Sequence, residues 1–343
     1  MMMTSKVPLD DWQYKELNTL AQRAGIPAAR LAPVLQILWP VYYHYDAKAA
    51  GAQRRFCRGA IAVYCLSGVA VAVAVGQLLF MPAIHQVVAF EVLAMVAALL
   101  LLVLSHRRQW KRDWLTNRYA AEQLRLRMYL AVIPRQDDGS SGSGQGMDPS
   151  TTLPFYSQLG AALPEDVEKA MRWEGLAGCA VSDVAMLKTW LGEGWIADQA
   201  RFHRGAAVRH QRAARRARRI TVAVFTMTLI AATLHALGLG HGLPCAGHLQ
   251  DSWTASLVLF LSITLPVLAS AVHAINDLLD HDRIAVRSTG MAELLDRLAK
   301  EVARALTLEQ VRDVARRTEQ VMAMENFEWL AALTFRQQPH APV

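Results

Sequence analysis

The chain has 343 residues, is 53% hydrophobic and carries 36 Lys and Arg against 29 Asp and Glu, a net charge of +7. Its four cysteines, Cys57, Cys65, Cys179 and Cys245, form no CxxC pair, which excludes a disulfide framework and a zinc cluster of ordinary spacing. The apolar share is high for a chain so rich in arginine, and both features point to a bilayer as the surroundings.

In chain order, Asp10–Ala24 and Ala28–Gln53 read as helices, the second ending directly in an apolar run, Gly59–Phe80. MPAIHQ separates this from a second run, Val87–Leu104, whose helical pattern continues through Arg107–Val132. Pro134–Pro164 is rich in Gly, Ser, Asp and Pro and reads as a flexible linker. Val184–Arg219 is a basic helix leading into Ile220–Gly238, and LGHGLPCAGHLQDS joins that run to Trp253–Ala271. Ile284–Ala305 and Leu308–Phe335 read as closing helices. Each apolar run approaches the ~20 residues that cross a ~30 Å hydrocarbon core, and Glu91 is the one formally charged residue among them.

The expected fold is therefore an all-α membrane protein with two transmembrane helical hairpins, four spans in all, and long cytoplasmic helical extensions. Five segments follow: a helix over 1–27, a first two-span unit over 28–133, a linker with a short helix over 134–183, a second two-span unit over 184–305, and a helix and tail over 306–343. Arg54, Arg55, Arg107 and Arg108 flank the first hairpin, and Arg215, Arg216, Arg218 and Arg219 precede the second. Lys and Arg in short loops stay cytoplasmic, so both termini and the central segment are expected inside and the two turns outside. These flanking arginines would also anchor the chain to anionic lipid headgroups, at ~1 kcal/mol each. No cleavable signal peptide is expected, since apolar sequence starts only near residue 59. The two units share an order and an orientation, a parallel repeat in which Gln53-Arg54 and Gln211-Arg212 stand at similar distances from the membrane.

Trp114, Arg118, Glu122 and Arg125 fall on one helical stripe at ~100° per residue, and Tyr129 follows them. Glu122 can pair with Arg118 or Arg125, each pair contributing ~0.2–0.5 kcal/mol on an exposed helix. The stripe reads either as a subunit or partner contact or as a solvated face. In the second unit, Trp195-Ile196-x-Asp198-Gln199-x2-Phe202-His203 precedes the hairpin and Arg287-Ser288-x2-Met291-Ala292-x-Leu294 follows it. With these stretches the chain resembles the SLATT and DUF4231 group, two-span bacterial domains associated with SMODS nucleotidyltransferases and SLOG nucleotide sensors. The resemblance covers about residues 28–133 and 184–305. It implies a membrane effector of a bacterial conflict system in the inner membrane, perforating or depolarising it when a nucleotide alarm is raised. Since no sensor or synthase domain fits beside two hairpin units, the alarm would come from a separate protein.

Within the spans, Glu91 shares a face with Ala94 and Ala98, and Gly68, Ala72 and Gly76 form a small-xxx-small line on the first span where a neighbour can dock. A membrane carboxyl costs ~2.5–3.5 kcal/mol at mid-helix, so Glu91 reads as a pore-lining, proton-sensitive group or as a hydrogen-bonded packing residue. Four spans with one charge and scattered hydroxyls (Thr221, Thr226, Thr228, Ser262, Thr264) give one chain no continuous polar wall. Activity is therefore expected of a homo-oligomer. Arg201–Arg219 holds eight arginines and no acid; placed before a span, it reads as anchoring, and nucleic acid is not an expected partner. His235, His241, Cys245, His248 and Asp251 match no standard metal spacing, and His281-Asp282 lacks the further ligands of a phosphohydrolase. No nucleophile elbow, phosphate loop or carboxylate pair is found, so neither catalysis nor a cofactor is expected. A non-catalytic membrane scaffold is the alternative to the effector, and a small transporter a more distant one.

Overall fold

The computed structural model describes residues 12–84, 86–134, 163–237 and 251–335. They are about 90% helical, without a strand among them. The helices are α1 (Trp12–Ala24), α2 (Ala28–Phe80), α3 (Gln86–Arg107), α4 (Trp110–Leu130), α5 (Glu165–Met171), α6 (Val184–Lys188), α7 (Ala197–Ala236), α8 (Asp251–Leu279), α9 (His281–Arg304) and α10 (Leu308–Phe335). A 3₁₀ segment, Glu174–Cys179, follows α5, and a π-helical segment, Thr189–Ile196, joins α6 to α7. Among the described residues, four helical stretches are long and apolar enough to cross a membrane, one each in the regions of α2, α3, α7 and α8. The chain is a multi-pass helical membrane protein by that measure.

Packing divides the chain into two compact units. One comprises Met1–Ala52, Arg112–Arg204 and Thr289–Val343; the other comprises Gln53–Lys111 and Gly205–Ser288. This grouping runs across the five segments read in chain order, because each repeat contributes to both units.

The first unit has the interior of a water-soluble helical protein. Val34 and Leu38 of α2, Leu124 and Met128 of α4, Val167 of α5, Leu187 of α6, Trp190 and Trp195 of the π segment and Leu295 of α9 are fully buried. Short-range chemistry sets the junctions. Gly25, at φ 74°, ends α1 with Ile26 N–H donating to the Ala21 carbonyl at 2.9 Å, a left-handed Schellman stop. Asp183 caps α6 by accepting from Met186 N–H at 3.0 Å. Thr307 and Gln310 form a reciprocal capping box at the start of α10, Leu306 N–H donating to Gln310 Oε1 at 2.7 Å. Lys188 Nζ donates to the Ala305 carbonyl just beyond α9 at 3.0 Å. The π segment packs on α1, and Gly194 is needed there because a Cβ would overlap the Leu20 side chain. Trp190 Nε1 donates to the Tyr129 carbonyl at 3.0 Å, while Trp195 stacks on the Tyr129 ring at 5.4 Å and 8°.

The second unit is built the other way round. On α3 the small side chains are inside, Ala94 and Ala98 each 8% exposed, whereas Leu93, Leu99 and Leu100 are 60–64% exposed. Val222, Leu229 and Ile230 of α7 face outward in the same way. Water would penalise such a surface by roughly 1.5–3 kcal/mol per large side chain left unburied; hydrocarbon does not, and small residues let helices approach.

The sequence reads Arg107–Val132 as a direct continuation of the second span, but the structure breaks it. Gln109 stands at φ 49°, and α4 starts afresh at Trp110. Asp280, at φ 51°, makes the equivalent break between α8 and α9. After each break the first residue of the new helix packs back on the ingoing leg of its own hairpin: a Cβ on Gly59 would lie 2.9 Å from the Trp110 ring, and the rings of His281 and His210 lie 4.9 Å apart. The two breaks, at Gln109 and Asp280, thus share a left-handed backbone conformation. The basic helix expected over Val184–Arg219 is likewise interrupted, by the π segment, which lets Trp190 and Trp195 both reach Tyr129.

Candidate functional site: a buried charge network

Glu122 lies at the centre of the first unit's polar chemistry. The stripe Trp114, Arg118, Glu122 and Arg125 is not a solvated face: Glu122 is 8% exposed and Trp114 packs against the core. Helix α4 is buried all round over Tyr119–Leu124, so this face meets other helices rather than water. Arg118 Nη2 pairs with Glu122, and its Nη1 reaches Asp46 of α2 at 3.0 Å. Arg125 Nη1 donates to both Glu122 oxygens, at 3.1 and 3.2 Å.

Burial by itself would raise the Glu122 carboxyl. The guanidinium groups of Arg118 and Arg125, the Arg125 hydrogen bond and the facing His203 outweigh it and hold the carboxyl below its ordinary range. Burial correspondingly opposes the charge on Arg125, and Glu122 overrides it, so Arg125 stays protonated. His203 of α7, itself 4% exposed, places Nε2 3.4 Å from Glu325 Oε2 of α10. The network therefore draws on α2, α4, α7 and α10. Beside it, Arg204 of α7 holds Asp296 of α9 at 2.6 Å, and Tyr45 donates to Asp166 of α5 at 2.8 Å.

Other expected residues are placed as follows. Trp195 and Gln199 are buried in the same unit, while Asp198 turns outward to Arg201 at 3.2 Å. Arg287 belongs to the second unit and is partly buried. Arg54, Arg55, Arg107, Arg108, Arg215, Arg216, Arg218 and Arg219 are all exposed. Glu91 is partly buried beside buried Ala94 and Ala98. Along the small-residue line, a Cβ on Gly76 would touch Phe260 of α8 at 3.5 Å, whereas Gly68 faces open space and Ala72 is partly buried.

The span hydroxyls of Thr226, Thr228, Ser262 and Thr264 donate to carbonyls of their own helices at 2.7–2.9 Å. His241, Cys245 and His248 lie outside the described residues; among those described, no group of three or more His, Cys, Asp or Glu is arranged to hold a metal ion. Cys57, Cys65 and Cys179 are free thiols. His281 and Asp282 turn to His210 and Arg218 and do not form a joint site.

Sequence reasoning missed Asp46 and Glu325. Asp46 is 72 positions from Arg118, beyond any helical periodicity. His203 stood in a recognised stretch, yet nothing local named its partner. No family model, curated protein or solved structure matches this chain.

Proposed function

We propose that this chain is an integral membrane effector of a bacterial nucleotide-linked conflict system. Its oligomers would permeabilise the inner membrane on a signal from a separate sensor or nucleotidyltransferase. The observation that carries the reading is the pairing of two opposite surfaces in one chain: hairpins with apolar side chains outward, and a packed helical unit with a buried charge network. Helix α2 runs unbroken from Ala28 to Phe80, with Asp46 of the network in its first half and an apolar span in its second. A signal that changes the pairing of Asp46, Arg118 and Glu122 would act on a helix that enters the bilayer. The resemblance to SLATT and DUF4231 domains supplies the conflict-system context, and the exposed arginines suit cytoplasmic, anionic lipid.

The second reading, a non-catalytic membrane scaffold, is favoured by one observation. The span hydroxyls donate to their own helices, which leaves little polar surface for a conducting wall. Purified protein reconstituted in vesicles of anionic lipid separates the two. The effector reading expects ion flux that rises with crosslinked oligomer; flux equal to empty vesicles across the oligomer range, with protein inserted and its activating partner present, leaves the scaffold.

A further inference from the structure

His210 of α7 and His281, the first residue of α9, meet across the second hairpin with their Nδ1 atoms 2.8 Å apart. The ring planes are inclined at 58°. At that separation one ring donates its Nδ1–H and the other accepts it. The bond ties the leg entering the hairpin to the helix leaving it, over 71 positions of sequence, and it is made by the residue directly after the left-handed Asp280.

The charged surroundings of the pair come from both helices. Arg209 of α7, next to His210 in the chain, disfavours a charge on that ring, and Asp282 of α9, next to His281, favours one there. Asp282 also lies 3.6 Å from Arg218 Nη2, and Asp280 lies 3.7 Å from Arg283. Burial, then the facing His281 and Arg209, holds His210 below the ordinary histidine range. Burial holds His281 down as well, against the attraction of Asp282 for the proton.

We propose that His210 and His281 form a proton-operated clasp that ties α7 to the junction between α8 and α9 and opens when both rings are protonated. One added proton is tolerated, because an imidazolium still donates to the remaining lone pair. The second removes the last acceptor and leaves two cations face to face beside Arg209. The open form binds protons better than the closed one. The clasp is therefore fully closed above the ordinary histidine value of ~6.5 and is lost as pH falls below it. The two rings titrate as a pair. Whether the hairpins conduct ions has no bearing on this device.

The test uses the full chain in lipid nanodiscs with Cys57, Cys65, Cys179 and Cys245 replaced by Ala. Spin labels are placed at Val208→Cys and Val286→Cys, exposed positions on α7 and α9. Between pH 8 and pH 5 the pulsed-resonance distance should pass from one short population to a longer, broader one, with at least a tenfold change in their ratio. His210→Gln with His281→Gln should give a distribution that does not change with pH. An unchanged wild-type distribution from pH 8 to pH 5, or the same shift in the glutamine variant, overturns the clasp. Nitrogen-15 histidine spectra of the unsubstituted chain give an independent reading. Coupling across the Nδ1 pair that vanishes on acidification supports the clasp, and two rings titrating independently without coupling refute it.

Discussion

Removing the Glu122 carboxylate is the most informative single perturbation of the helical unit. Its two partners are unequal: the Arg118 side chain is 38% exposed and the Arg125 side chain 19%. Water screens the Arg118 leg, which contributes no more than the ~0–1 kcal/mol of a surface pair. The Arg125 leg is enclosed, and breaking a buried pair leaves an uncompensated charge at a cost of about 3–5 kcal/mol. Glu122→Gln preserves shape and can still accept a hydrogen bond, so the lower end, about 3 kcal/mol, applies. Arg118→Leu should cost about 1 kcal/mol or less. Glu122→Leu combined with Arg125→Leu removes both charges and should lie closer to wild type than either single change. Denaturant unfolding in bicelles, followed by far-ultraviolet circular dichroism, reads these differences. Equal losses for Arg118→Leu and Arg125→Leu, or a double variant less stable than both singles, would refute the assignment of the buried leg.

Three further outcomes follow, two from the structure and one from the arginine flanks of the spans. Glu319 of α10 is partly buried, its shielded Oε2 lacks a hydrogen-bond partner among the described residues, and desolvation, opposed by Arg127, raises its carboxyl to about 7. The folded state therefore holds this proton better than the unfolded one, and stability from this group rises as pH falls from 8 toward the ordinary carboxyl range. Glu319→Gln should stabilise the unit at pH 8, by on the order of 3 kcal/mol at most, and flatten the pH dependence of unfolding; a destabilised variant at pH 8 contradicts this. Gln109→Gly should raise stability by about 0.5–1 kcal/mol, because φ 49° is strained for a side-chain-bearing residue, less the bond from Gln109 Nε2 to the His106 carbonyl; thermal unfolding of the variant measures it, and a loss of stability would show that the side-chain bond dominates. Reporter cysteines at Gly139–Gly146 should resist an impermeant thiol reagent in intact cells while those beside His241 react, and labelling of the first set would overturn the orientation.

The spans were legible because lipid imposes a long apolar run and local charge marks its flanks; Gly59–Phe80 and Val87–Leu104 lie within α2 and α3. The helix expected over Leu308–Phe335 matches α10. The burial of Glu122 was not. A stripe of Arg, Glu and Arg at helical spacing looks the same whether it faces water or a second helix, and only Asp46 and Glu325, far away in sequence, decide which. The breaks at Gln109 and Asp280 were also invisible, because neither residue type announces a left-handed conformation as glycine would. The clasp between His210 and His281 joins two unremarkable histidines through the hairpin's closure alone.

The membrane potential of cells expressing the chain tests the proposed activity most directly, with Glu91→Gln run beside the wild type and insertion of both verified in the membrane fraction. Collapse of the potential with wild type, and a changed rate or extent with Glu91→Gln, is the result expected of a permeabilising oligomer whose path Glu91 lines. Collapse unchanged by Glu91→Gln would confine that residue to packing. A steady potential with the inserted wild-type chain, alone and together with its activating partner, would contradict the effector account.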